Sequence, residues 1–160
     1  MGIAIAIKTF LQPYIHNIIS HPGTAIAIDL FLPNNNNFRI ISIYFPSNNT
    51  ILLDATHQKI LDWIEYANKQ NLQLIILGDF NSNLERKNST TKLLHKLQKA
   101  GLQSILKIFK VTIPTWSRSH LTSQIDDIFI PQNILNTFLP PKIIEAKEIT
   151  ESDHKVITIE

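Results

Sequence analysis

The stretch from Leu72 to Asn81, Leu-Gln-Leu-Ile-Ile-Leu-Gly-Asp-Phe-Asn, constrains the fold of this chain more than any other. Leu74 to Leu77 form an uninterrupted apolar run, as in a strand covered on both faces, and Gly78 permits a sharp exit from it. Asp79 is thereby delivered to the rim of a sheet. Asn81 follows two residues on. In an extended backbone its carboxamide and the Asp79 carboxylate would face one space, where they can bind a hydrated metal and a phosphate oxygen. The same two side chains can instead make a turn by bonding to nearby backbone.

A rim needs a sheet and a core behind it. The 160 residues, 44% of them hydrophobic, suffice for one domain with a core. Asn34 to Asn37 read as a polar loop. A net charge of only +2 permits a local nucleic-acid contact without announcing one. The absence of cysteine removes disulfides and thiolate metal sites and fits a reducing compartment. No segment reaches the roughly 20 apolar residues needed to cross a bilayer. Met1 to Lys8 lacks the basic leader and the length of a signal peptide. The expectation is therefore an intracellular chain, nuclear or cytoplasmic, with no membrane partner.

Met1 to Ile7 alternates isoleucine with alanine and is expected as a strand. Thr24 to Leu32 and Phe38 to Phe45 read as a hairpin joined through Pro33 and the asparagines, and Pro46 leaves Tyr44 at a strand end. Leu53, Ile60, Leu61, Ile64 and Ala67 recur at helical spacing within a helix over 52–69. A second helix is expected over 90–100, with Gly101 as its left-handed terminator. Arg86 and Lys87 with Lys92, Lys96 and Lys99 could form a phosphate-facing patch, though charge on a helix face is ordinarily a solvated surface. Leu102 to Phe109 suits strand or helix. Thr112 to Ser117, Ser123 to Ile130, Ile143 to Ile149 and Val156 to Ile159 read as further strands. No repeat, linker or break in composition interrupts residues 1–160, so one α+β domain is expected.

Tyr44, Asp79, Asn81, Asp126 and the triplet Ser152-Asp153-His154 all fall where apolar runs end, which is where sheets place active sites. With Tyr44-Phe45-Pro46, Gly78-Asp79-Phe80-Asn81, Ile125-Asp126 and Ser152-Asp153-His154 in this order, the chain resembles the endonuclease/exonuclease/phosphatase superfamily, the deoxyribonuclease I fold. Pro114-Thr115-Trp116 makes it most similar to the endonuclease domains of LINE-type (non-LTR) retrotransposons. The resemblance implies a four-layer αββα sandwich and phosphodiester hydrolysis with Mg²⁺ or Mn²⁺. DNA is the implied substrate, and a reverse transcriptase domain in a parent polyprotein is an implied partner. Its implied site residues are Tyr44, Asp79, Asn81, Asp126 and His154 for catalysis, with Asp153 and Asp79 near the metal. Asp79 would orient or deprotonate the attacking water, Asn81 would position that water and a phosphate oxygen, and Tyr44 would donate to the phosphate. His154, held by Asp126, would contact the scissile phosphate. Thr115 and Trp116 would touch DNA, although a tryptophan there suits the core equally. Asp127 stands where an aromatic residue is common.

The front departs from the pattern. The resemblance implies two earlier strands, one ending in asparagine and one in a Gln-Glu-Thr-type turn whose glutamate binds the metal, and the sequence contains neither. A partial domain lacking its first strands is therefore expected, with weak metal affinity and an unpaired apolar sheet edge. Two further readings stand beside the nuclease: a catalytically dead remnant that only binds nucleic acid or a partner, and a phosphatase of the same fold.

Overall fold

The computed structural model describes residues 3–85, 87–146 and 151–160. Met1 and Gly2 of the expected first strand, Arg86 of the basic patch, residues 147–149 of the strand expected over 143–149 and Thr150 lie outside the described residues. Although the sequence carries no break in composition, the chain divides into two compact units, Met1–Gly78 and Asp79–Glu160.

The first unit is a sheet with one long helix. Strands β1 (Ile15–His21), β2 (Ala25–Leu32), β3 (Asn36–Tyr44) and β4 (Gln73–Asp79) are neighbours in that order. The expected hairpin is β2–β3, antiparallel from Ala25↔Ile43 to Leu32↔Asn36. Its turn is made by Asn34 and Asn35 at φ 63 and 58, a left-handed conformation that asparagine tolerates better than most side chains. The helix α1 (Thr50–Lys69) starts where the Asn49 side chain accepts the Leu52 N–H at 2.9 Å. It buries Leu53, Thr56, Ile60, Trp63, Ile64 and Ala67, a stripe at helical spacing.

A buried ion pair fixes the hairpin register. Asp29 and Arg39 face each other across β2 and β3, and Arg39 grips the carboxylate with Nε at 2.6 Å and Nη2 at 2.7 Å. Its remaining nitrogen Nη1 donates to the Trp63 carbonyl at 3.2 Å, and the guanidinium lies 4.3 Å from the Tyr66 ring centroid. Asp29, mid-strand as expected, is thus committed to structure.

Two parts of this unit differ from the sequence expectation. Residues 3–8 form no strand: half-buried Ile3, Ile5 and Ile7 alternate with exposed Ala4 and Ala6, but no ladder pairs them. The β1 strand, which no pattern announced, stands at the end of the strand order with Ile18 65% exposed. Its sequence Ile-His-Asn-Ile-Ile-Ser-His has no regular apolar face, because an edge strand need not bury one.

In the second unit, α2 (Ser89–Lys99) is capped by Asn88, whose side chain accepts the Thr91 N–H, and it buries Leu93, Leu94 and Leu97. Lys92, Lys96 and Lys99 are exposed on its solvent side. The ambiguous stretch after Gly101 resolves into both types: β5 (Leu102–Ser104) and one helical turn, α3 (Ile105–Ile108). β5 pairs antiparallel with β8 (Asp126–Pro131). Two short ribbons complete the unit: β6 (Trp116–Arg118) with β7 (Leu121–Ser123), and β9 (Lys142–Ile144) with β10 (Val156–Thr158). Among the described residues, no helix is long and apolar enough to cross a membrane.

Candidate active site

Asp79 is delivered where the β4 run predicts, and the exit is forced at Gly78. That residue adopts φ +136, and a Cβ placed on it would collide with the Ile43 carbonyl oxygen, so only glycine fits. The backbone does not stay extended beyond it. Asn81 turns to φ 48, its N–H donates to Asp79 Oδ1 at 2.8 Å and its Nδ2 donates to Asp79 Oδ2 at 3.3 Å. The turn and the shared polar space, alternatives in the sequence, are the same object. Phe80 between them is buried and its N–H donates to the Ile125 carbonyl at 2.9 Å, tying this turn to the start of β8.

β8 begins with Asp126. Thr115 sits beside it, with a hydroxyl that accepts the N–H groups of both Ile125 and Asp126 at 3.1 Å. His154 closes on the other side, its Nδ1 lying 3.1 and 3.0 Å from the two Asp126 oxygens. The histidine is held by its own backbone: its N–H donates to Ser152 Oγ at 3.1 Å, and residues 153–155 pair with 115–117 through Ser117 N–H to the Asp153 carbonyl and Lys155 N–H to the Thr115 carbonyl. Oxygens of Asp79 and Asp126 and a ring nitrogen of His154 lie within 4.8 Å of one another. Residues far apart in sequence therefore meet at strand ends.

The electrostatics follow from this crowding. Burial pushes the Asp79 carboxyl up to about 6, with the neighbouring Asp126 and Asp153 charges adding to the rise and the Asn81 N–H and His154 opposing it. Burial also raises Asp126, against the Thr115 hydroxyl and His154. A divalent cation would relieve this repulsion. Two carboxylates that converge on one point, with an imidazole beside them, are a donor set that could hold a divalent cation.

The remaining expected residues lie around this cluster or elsewhere in the fold. Asp153 lies beside the three-residue cluster, its Oδ1 3.9 Å from His154 Nε2 and its Oδ2 accepting the Trp116 indole N–H at 2.9 Å. The half-buried Trp116 is therefore not plain core: its indole N–H holds a carboxylate. Thr115 is fully buried, and its hydroxyl accepts two backbone N–H groups and lowers the neighbouring Asp126 carboxyl. Tyr44 ends β3 in the first unit as expected, half-buried, its N–H donating to the Thr24 carbonyl at 2.8 Å. The roles of Ser152 and Thr115 went unread in the sequence. A serine two residues before the histidine is a turn signal that could have disclosed the first.

Comparison with known proteins bears on the family and the fold. Residues 38–158 match the family described as endonuclease-reverse transcriptase. The chain is similar to the endonuclease domain of TRAS1, a telomere-specific non-LTR retrotransposon, at 17% identity and a TM-score of 0.65, covering 90% of this chain and 68% of that one. It is similar to the 3'-5' exonuclease NExo from Neisseria meningitidis at 17% identity and a TM-score of 0.67, covering 87% and 65%. The AP endonuclease LMAP from Leishmania major gives 10% identity and a TM-score of 0.67, covering 86% and 54%. Such identities establish the fold: it is the α+β fold these nucleases share, the class expected from the sequence. The chain spans between about half and two thirds of the length of these structures. No curated protein matches it.

Proposed function

The chain belongs to the endonuclease-reverse transcriptase family, and from that premise we propose that it hydrolyses phosphodiester bonds of DNA with Mg²⁺ or Mn²⁺ as cofactor. The observation that carries this reading is the convergence of Asp79, Asp126 and His154 within 4.8 Å. Asp79 and Asp126 would hold the cation, which when bound neutralises charge developing on the phosphate. Asp79, a carboxylate beside that cation, takes the proton of the attacking water. Asn81, tied to Asp79 through its backbone and side-chain N–H groups, keeps that carboxylate aimed and offers its carboxamide to the water and to a phosphate oxygen. His154, anchored to Asp126 through Nδ1, presents Nε2 to the scissile phosphate. Trp116 holds Asp153 at the border of the site. DNA as the substrate is supported by the likeness to the TRAS1 endonuclease domain, and a linked reverse transcriptase by the family itself.

The test is nicking of supercoiled plasmid by the purified chain. Open circles should form with Mg²⁺ or Mn²⁺ and not in a chelator, and Asp79→Asn should slow them by roughly 100-fold or more. Equal nicking in the chelator, or an unaffected Asp79→Asn, would refute the proposal. Faster release of phosphate from a phosphomonoester than nicking of plasmid would move the activity to a phosphatase.

A further inference from the structure

The helix α2 carries Lys92, His95, Lys96 and Lys99 and no acidic residue. All four are exposed while Leu93, Leu94 and Leu97 turn to the core, so the basic side chains form one stripe along the solvent side. The long helix of the first unit is built otherwise. On α1, Asp54, Asp62 and Glu65 stand against Lys59 and Lys69, and Glu65 pairs with Lys69 at 2.6 Å, four residues away. Among the described residues the lysines in ion pairs are Lys69, Lys142 and Lys155, and none of Lys87, Lys92, Lys96 and Lys99 has a carboxylate partner. Lys92 and Lys96 are instead like charges four residues apart, an arrangement that weakens a helix. Lys87 and Lys92 also lie near the positive end of the helix dipole, which disfavours cations. Solvation alone gives no reason to keep these costs, whereas a polyanion laid along the stripe removes them.

The length of the stripe fits a particular polyanion. At about 1.5 Å per residue, Lys92 and Lys99 are about 10 Å apart along the helix. One strand of duplex DNA carries a phosphate about every 3.4 Å of its axis, so the stripe spans roughly three consecutive phosphates. Its starting end is fastened to the hydrolytic turn. Ser82, the residue after Asn81, is buried and its Oγ lies 3.1 Å from both Asn88 Oδ1 and Thr91 Oγ1, and the Thr91 hydroxyl is within 3.2 Å of the Asn83 carbonyl. Lys87, Thr91, Lys92 and His95 line a recess at this same end of α2. We propose that the basic stripe of α2 binds the phosphate backbone of duplex DNA, holding about three phosphates of one strand without regard to base sequence. This deepens the reading of the chain as a DNA nuclease and rests on it only for the identity of the polyanion.

Fluorescence anisotropy in chelator separates binding from hydrolysis. The whole chain is titrated against two labelled duplexes of unrelated sequence at several salt concentrations. Replacing Lys92→Gln, Lys96→Gln and Lys99→Gln together should weaken binding to both duplexes at least about tenfold and flatten the slope of log affinity against log salt by about two to three. Lys96→Gln alone should flatten it by about one. Lys59→Gln with Lys69→Gln on α1 should change neither affinity nor slope. Native affinity and slope in the triple variant would overturn the proposal, as would an equal loss per lysine in the α1 variant, which would reduce the effect to net charge. A loss confined to one duplex, or tighter binding to phosphatidylserine vesicles than to either duplex, would also overturn it. Binding as expected without nicking in Mg²⁺ would sustain the stripe and sink the hydrolytic reading; nicking with unchanged binding in the triple variant would sink the stripe alone.

Discussion

At the scale of single residues, three buried or half-buried aspartates within the second unit are put to different uses by their immediate partners. Asp79 is braced by the turn it makes, Asp126 by a threonine and a histidine, and Asp127 by Ser104 and the backbone of α3 and β8. Burial pushes Asp127 up to about 6 from 3.8, against the hydrogen bonds from Ser104, Ile128 and Leu106 that lower it. The folded chain then holds this proton more tightly than the unfolded chain. Its stabilising effect is complete below 3.8 and is lost as pH rises toward about 6. Asp127 should contribute on the order of 2–3 kcal/mol to the loss seen by urea unfolding, and because Asp79 is raised to about 6 as well, Asp127→Asn should reduce the pH dependence of the native chain by about that amount without abolishing it. Trp116 makes a second prediction. Trp116→Phe keeps the ring but removes the donor to Asp153, so nicking should fall by about tenfold with an unshifted thermal midpoint, and a lost midpoint with intact specific activity would return Trp116 to a packing role. This donor was illegible in the sequence because Trp116 and Asp153 are brought together only by the pairing of 115–117 with 153–155. The structural part played by Thr115 was illegible for a related reason: nothing in the sequence shows that its hydroxyl accepts two backbone N–H groups.

At the scale of elements, what the sequence disclosed depended on whether an element buries a regular face. α1 was legible because its apolar residues recur at helical period, β4 because an unbroken apolar run ends at Gly78, and the hairpin β2–β3 because its asparagine turn needs left-handed residues. β1 was not, since an edge strand need not alternate, whereas residues 3–7 alternate and yet have no partner strand among the described residues. β9 is shorter than the strand expected over 143–149, which runs into positions outside the described residues. The element-level weak point is Gly78. Gly78→Ala would force a methyl group into the Ile43 carbonyl from a backbone that L side chains rarely adopt. A loss of about 3 kcal/mol or more in unfolding free energy is expected, measurable by denaturant titration, and a neutral substitution would contradict this account of how β4 ends.

At the scale of the whole molecule, the family was written in four short motifs in order, and the α+β class in a chain of many strands and few helices. The division into two compact units was not, because both share one aliphatic composition and no linker separates Gly78 from Asp79. The cluster of Asp79, Asp126 and His154 was legible as a set of strand ends, while its geometry needed the folded chain. The central claim is that this cluster hydrolyses DNA phosphodiesters with a divalent cation. Its most direct test is the rate of plasmid nicking in Mn²⁺ by the native chain and by His154→Ala at equal concentration. The account predicts metal-dependent nicking that falls by roughly 100-fold in the variant; nicking that proceeds equally in both would contradict it.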